Sequence, residues 1–249
     1  MGGHQASPIR NRGMATVRLG INPLTWTNDD LPSLGANIPL DTCLREGREA
    51  GFTGFELGNK FPREPSALAA VLEPHDLALV SGWYSARLLE RSPEEEIEAL
   101  QAHLELLKQC GANVMVFCEV THCVHGDQTV PLSRRPHLND MEWRRLTEGL
   151  NIVGDYLQAQ GVRLAYHHHL GTVVESQEDV VQLLDKTHDS VGLLLDFGHL
   201  RGAGGDPLTI ATRYASRIGH VHCKDLRFPV LDAAIWHHSS RAGKKCPLS

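Results

Sequence analysis

The 249-residue sequence predicts an α/β protein folded as a (β/α)8 barrel. Three observations carry that prediction. Short apolar runs alternate with helical patterns seven times, at intervals of roughly 25 to 35 residues, which is the rhythm of a barrel of parallel strands. Runs 162–166, 192–196 and 218–222 each lead into metal-ligand residue types: His167-His168-His169, Asp196 with His199, and His220 with His222. The runner-up architecture, a doubly wound open sheet, has no motif in its favour, because neither a Gly-x-Gly-x-x-Gly after the first strand nor a phosphate-binding Gly-rich loop occurs.

The elements follow in order. Residues 17–22 alternate and meet Pro23, giving the first strand, and 24–38, rich in Asn, Asp, Pro and Gly, is a long loop. Asp41 caps a helix through Ala50 that Gly51 stops. Residues 53–57 form a second strand, 65–73 a helix, and 77–81 a third strand followed by Gly82-Trp83-Tyr84. Ser92-Pro93-Glu94-Glu95 opens a long helix with a capping box, running to Cys110 and ended by Gly111. Residues 113–119 are the fourth strand. The polar excursion 121–140 is too long for a bare connection and reads as a lid or substrate loop. Asp140 caps a helix over 141–160. Then come strand 162–166, helix 177–186, strand 192–196, a helix opened by Asp206-Pro207, and strand 218–222. Helices between successive strands make the strands parallel, so their C-terminal ends share one rim.

Composition narrows the function classes. The formal net charge is −6 with no basic stripe, which argues against a non-specific nucleic-acid binder. No run of about 18 apolar residues exists, so no membrane span is expected. The first 16 residues carry Arg10 and Arg12 without the apolar centre of a signal peptide. Six cysteines without a Cys-x-x-Cys pair read as reduced thiols of a cytoplasmic protein. The expected organisation is a disordered tail over 1–15, an incomplete barrel over 16–228 and an atypical tail over 229–249.

At the rim, alternation puts His167 and His169 on one side of their strand and His168 on the other. A chance run of surface histidines is the bland alternative; the preceding Leu-Ala-Tyr run weighs against it. A lone strand-end Asp is usually a helix cap, but Asp196 with His199 repeats the carboxylate-plus-imidazole theme. His220 and His222 stand i and i+2, with Lys224 in phase.

The segments Asp-Phe-Gly-His (196–199) and His-Val-His-Cys-Lys-Asp (220–225) resemble the strand ends of the xylose-isomerase-like barrels, a superfamily of sugar isomerases, epimerases and endonuclease IV. Asn-Pro-Leu-Thr-Trp-Thr-Asn-Asp-Asp-Leu-Pro (22–32) and Ala-Tyr-His-His-His-Leu-Gly-Thr (165–172) are similar to the inosose dehydratases of myo-inositol catabolism. The resemblance covers residues 17–227. It implies a divalent metal, Mn2+ or Co2+, held by one residue from each of strands five to eight. His167 stands where the family has Glu, Asp196 and His222 match directly, and the eighth-strand Glu has no counterpart. It also implies removal of water from a cyclic polyol ketone, 2-keto-myo-inositol, through a metal-stabilised enolate. Candidate bases are His167, His169 and Glu119, and candidate acids or enolate donors are Lys224 and His199. Trp26, Glu56 and Arg227 are candidate substrate-binding residues, with plain core packing the equal alternative for Trp26.

The rivals are a sugar epimerase or isomerase using the same enolate, a shortened chain without activity, and a DNA-repair endonuclease, which the acidic balance disfavours. His in place of the fifth-strand Glu argues against the epimerase. After Arg227 the sequence departs from the family, and 230–249 offers only the apolar piece 230–236. The expectation is an open barrel lacking its last unit, with an exposed edge between strands seven and one. Low stability, self-association into a homo-oligomer through the open edge and little or no lyase activity even with added metal should follow.

Overall fold

The computed structural model describes residues 18–127 and 129–230. Seven parallel strands stand in sequence order, with helices between them: β1 (Gly20–Ile21), β2 (Gly54–Leu57), β3 (Ala78–Ala86), β4 (Val114–Glu119), β5 (Arg163–His167), β6 (Val191–Asp196) and β7 (Ile218–His222). The helices are α1 (Leu40–Glu49), α2 (Pro65–Leu72), α3 (Pro93–Gln109), α4 (Asp140–Ala159), α5 (Gln177–Lys186), α6 (Phe197–Gly202) and α7 (Pro207–Arg213). Among the described residues β7 does not pair with β1, so the curled sheet is open there, as the sequence led us to expect. Among the described residues no helix is long and apolar enough to cross a membrane, and the five described cysteines are free thiols. The expected tail over 1–15 and nearly all of that over 229–249 lie outside the described residues.

Strand alternation sorts the apolar side chains into two cores. The larger lies between sheet and helices and takes Met115 and Phe117 from β4, Leu164 and Tyr166 from β5, and Leu193 and Leu195 from β6. A small inner layer is Val116, Ala165 and Leu194, with Trp83 and Val114 against it. Two residues beyond Ala165 and Leu194, on the same inner side, stand His167 and Asp196. The inner layer therefore supports the rim directly.

Two register shifts aim the remaining rim residues. Phe55 pairs with Leu79 but Glu56 with Ser81, leaving Val80 as the extra residue. Leu193 pairs with Ile218 but Leu194 with His220, leaving Gly219 extra. Each bulge reverses the side-chain phase of its strand. Ile218 consequently packs in the outer core while His220 and His222 point inward.

Local signals account for most boundaries. The capping box of Ser92 and Glu95 forms in both directions. For α4 the cap is Asn139, one residue earlier than expected, with Glu142 completing the box. Strand β3 continues to Ala86 instead of ending at Ser81. Gly82 is not a strand stop; a Cβ there would lie 2.8 Å from the His103 ring, so the glycine lets α3 approach the sheet. The short helix α6 was not expected. It starts at once after β6 because the Asp196 side chain accepts from the His199 backbone N–H at 2.8 Å.

Candidate active site

The site is built around one carboxylate oxygen. Asp196 is fully buried; its Oδ1 caps α6, and its Oδ2 accepts no hydrogen bond. Around Oδ2 stand His167 Nε2 at 3.4 Å, His222 Nδ1 at 3.5 Å, Lys224 Nζ at 3.5 Å and His199 Nε2 at 3.8 Å. Both ring nitrogens of His167 are also buried without a partner. A buried carboxylate oxygen and imidazole left unpaired are costly unless something else satisfies them. Two ligand atoms each about 2.1 Å from a shared cation sit roughly 3.0–3.5 Å apart. His167 Nε2 and His222 Nδ1 each stand from Asp196 Oδ2 at a spacing that two ligands of one cation would show.

Two further contacts decide which imidazoles can act as ligands. The ligand atoms of His167, Asp196 and His199 lie within 4.8 Å of one another, but His199 Nε2 already meets Lys224 Nζ at 2.5 Å. His222 has its other nitrogen, Nε2, 3.1 Å from Glu56 Oε2, which leaves Nδ1 facing Asp196. Of the two imidazoles, His222 is the one whose nitrogen beside Asp196 is not engaged by another side chain. The stem of Lys224 crosses Gly198, where a Cβ would stand 2.7 Å from the lysine Cγ, so that glycine gives the lysine its path to the site.

The wall opposite is aromatic. Trp83 lies edge-on to His167 and His169, with ring centroids 5.3 and 5.9 Å away. His169 lies against His199, tilted 45° with ring centroids 3.8 Å apart, and meets His125 of the 121–140 excursion at 4.9 Å. That excursion is anchored by a backbone bond from Val124 to Gly171. Gly171 has φ +82°, and a Cβ there would sit 2.9 Å from the His125 nitrogen, so glycine is required at this approach. The His169 Nδ1 is 2.8 Å from the Leu170 carbonyl; it must donate there, leaving Nε2 as the basic nitrogen.

Burial and charge set the protonation states. Burial would raise Asp196, but the imidazoles of His167 and His222, with Lys224 nearby, hold its carboxyl far below the usual range. Burial pushes His167 down to about 4 and His169 well below an ordinary histidine, so both are neutral at pH 7. His199 is likewise pushed down by burial and by His169. Burial opposes a charge on His222, yet the Glu56 and Asp196 carboxylates raise it to about 9. Burial would raise Glu56 as well; His222 and His220 hold it well below its usual value.

Several sequence-level candidates are placed elsewhere. Glu119 is in phase with Met115 and Phe117 and points to the helix layer; its oxygens accept from the Leu88 and Thr121 backbone N–H groups at 2.6 and 2.8 Å. It is thus a loop anchor rather than a rim base. Trp26 packs on Phe55 in the outer core and donates to Glu46 at 2.6 Å, the packing alternative. Arg227 is exposed beyond β7, and no hydrogen bond among the described residues ties its side chain to the cluster. Glu56 is 4% exposed with both oxygens engaged, so it offers nothing to a substrate hydroxyl. Trp83 was missed; its place after an apparent strand end hid its inward phase.

The chain is similar to several known proteins. Residues 44–244 match the model of the xylose isomerase-like TIM barrel family. The chain is 44% identical over 227 residues to the rhizopine catabolism protein MocC of Rhizobium meliloti, covering 91% of this chain and 70% of that one. It is 42% identical over 220 residues to inosose dehydratase 2 of Bacillus cereus, covering 88% and 74%. Among solved structures, the zinc-bound IolI protein superposes with a TM-score of 0.58 at 17% identity, covering 83% of this chain and 72% of that one. The chain belongs to the xylose isomerase-like TIM barrel family.

Proposed function

We propose that this chain is a hydro-lyase that removes water from a cyclic polyol ketone, 2-keto-myo-inositol, with a divalent metal, manganese or cobalt, held by His167, Asp196 and His222. The observation that carries the reading is Asp196 Oδ2, a buried anionic oxygen without a hydrogen bond and ringed by imidazole nitrogens at 3.4–3.8 Å. Similarity to inosose dehydratases over most of the chain supports the substrate class.

When bound, the metal supplies Lewis-acid polarisation of the ketone and so stabilises the enolate that forms as the neighbouring proton leaves. The chain supplies the rest. His169 carries its free lone pair on Nε2, because Leu170 fixes the other nitrogen as the donor, and it is neutral at pH 7; it removes the proton next to the ketone. Lys224 Nζ, aimed by its path over Gly198, donates to the departing β-hydroxyl, and His199 holds that nitrogen in place. His167 is kept from acting as a base by its position against Asp196. Trp83 offers an apolar surface for the carbon face of the ring. The test is metal content of the purified chain measured with its rate of water loss from 2-keto-myo-inositol. Parallel loss of both in Asp196→Asn supports the reading; full rate without metal opposes it.

A further inference from the structure

Two acid and imidazole clusters stand side by side at the rim. One is His167, Asp196 and His199; the other is Glu56, His220 and His222, whose ligand atoms also lie within 4.8 Å of one another. Read by spacing alone, the second cluster is another cation site. Its hydrogen bonding argues otherwise. Glu56 Oε1 accepts from Asn22 Nδ2 at 2.7 Å, and Oε2 accepts from Ser81 Oγ at 2.7 Å and meets His222 Nε2 at 3.1 Å. No atom of Glu56, His220 or His222 is among the buried groups left without a partner, whereas His167 and Asp196 both are. The Glu56 carboxylate is thus fully engaged, whereas Asp196 Oδ2 and the His167 ring are buried without a partner.

The strand geometry points the same way. The extra residue Val80 turns Ser81 inward to face Glu56, and the extra residue Gly219 turns His220 and His222 inward to meet it from across the barrel. A Cβ at Gly219 would be 2.4 Å from Arg163 Cδ, so the arginine side chain lies directly over the bulge. Both bulges of the sheet serve one carboxylate that is 4% exposed. A bulge that survives at a rim commonly re-aims a side chain.

We infer that Glu56 is a positioning residue: held by Asn22 and Ser81, it takes the Nε2–H of His222 and so fixes this ring with Nδ1 turned to the cation position beside Asp196. The second cluster is therefore the support of one cation site, and the chain binds one divalent cation, not two. The inference rests on the cation site proposed above. Carboxylates that accept from a ligand imidazole typically change metal affinity by about 10- to 100-fold when removed.

The experiment is Mn2+ titration of the 249-residue chain by calorimetry, on wild type, Glu56→Gln, Glu56→Ala and Ser81→Ala, with 15N NMR of the His222 ring in the metal-free chain. One Mn2+ per wild-type chain is expected. Glu56→Ala should weaken it about 10- to 100-fold, and Glu56→Gln, whose amide oxygen can still accept Nε2–H, should recover most of that loss. Ser81→Ala should give a smaller loss in the same direction and covers the case in which Glu56→Ala does not fold. In the NMR experiment, run above about pH 9 where the ring carries a single proton, that proton should sit on Nε2 of wild-type His222 and should redistribute between the ring nitrogens in the Glu56 and Ser81 variants. Two Mn2+ per chain, one of them lost in Glu56→Ala with the other unchanged, would overturn the inference in favour of a second site. Equal affinity and an equal ring spectrum in all variants would overturn it outright. Failure of wild type to bind Mn2+ at all would instead strike the proposed function, and the ring spectrum would still decide the role of Glu56.

Discussion

Metal affinity should climb with pH because the site must expel a proton to receive a cation. His222 carries its proton up to about pH 9 in the metal-free chain, held there against burial by Glu56 and Asp196. Its Nδ1 cannot ligate until the ring is neutral. At pH 7 the ring is protonated in all but about one molecule in a hundred, and displacing that proton costs about 2.7 kcal/mol, or roughly 100-fold in affinity. His167 adds nothing, since it loses its proton at about pH 4, and Asp196 is ionised throughout. Mn2+ affinity should therefore rise roughly 50- to 100-fold between about pH 6.5 and 8.5, with close to one proton released per ion at pH 7. Calorimetry in buffers of different ionisation enthalpy reads both quantities. The metal-free chain should behave oppositely. A histidine raised on folding stabilises fully below its unfolded value near 6.5, and that contribution fades as pH rises through about 9. Affinity that changes less than about threefold across the range, with no proton released, would refute the assignment of His222 as a ligand.

Three further outcomes separate the roles of neighbouring residues. Asp196→Asn should abolish Mn2+ binding, while His188→Ala, at an exposed ring paired only with Asp155, should leave binding unchanged and stability within about 0.5 kcal/mol; metal content and thermal melting of both variants check this. Gly198→Ala adds a Cβ 2.7 Å from Lys224 Cγ and should shift the amine, lowering kcat by tenfold up to about 100-fold while Mn2+ affinity moves less than about threefold; kinetics and titration on one preparation test the split. Trp26→Phe should cost about 1 kcal/mol of stability through the lost bond to Glu46 and leave KM unchanged, whereas Trp83→Ala should raise KM by roughly tenfold. Reversal of that pair would restore Trp26 to the substrate.

The rim was largely legible in the sequence because parallel strands separated by helices must end together. The place of Asp196 follows from strand-end position, and alternation parts His167 and His169 from His168; which of the two sides faces inward is set by the packing of Val116, Ala165 and Leu194 beneath. What was not legible depends on facing and on distance along the chain. Glu119 ends a strand as Asp196 does, yet Met115 and Phe117 in its phase already mark the helix-facing side; that signal was present and unused. The inward turn of His220 and His222 depends on the bulge at Gly219, which no periodicity reveals. The partnership of Glu56 with His222 spans 166 residues of chain and joins β2 to β7 across the barrel interior, so no local pattern announces it. Trp83 was hidden because Gly82 looked like a strand end, when its missing side chain makes room for α3.

The most direct test of the central claim is to incubate the Mn2+-loaded chain with 13C-labelled 2-keto-myo-inositol and follow the carbon spectrum. The account predicts loss of one water, with a new methylene carbon beside a dione, and no product when Asp196 is replaced by Asn. An unchanged mass with inverted configuration at a single carbon would show an epimerase. An unaltered spectrum from a chain that demonstrably holds its metal would contradict the claim that this site dehydrates cyclic polyol ketones.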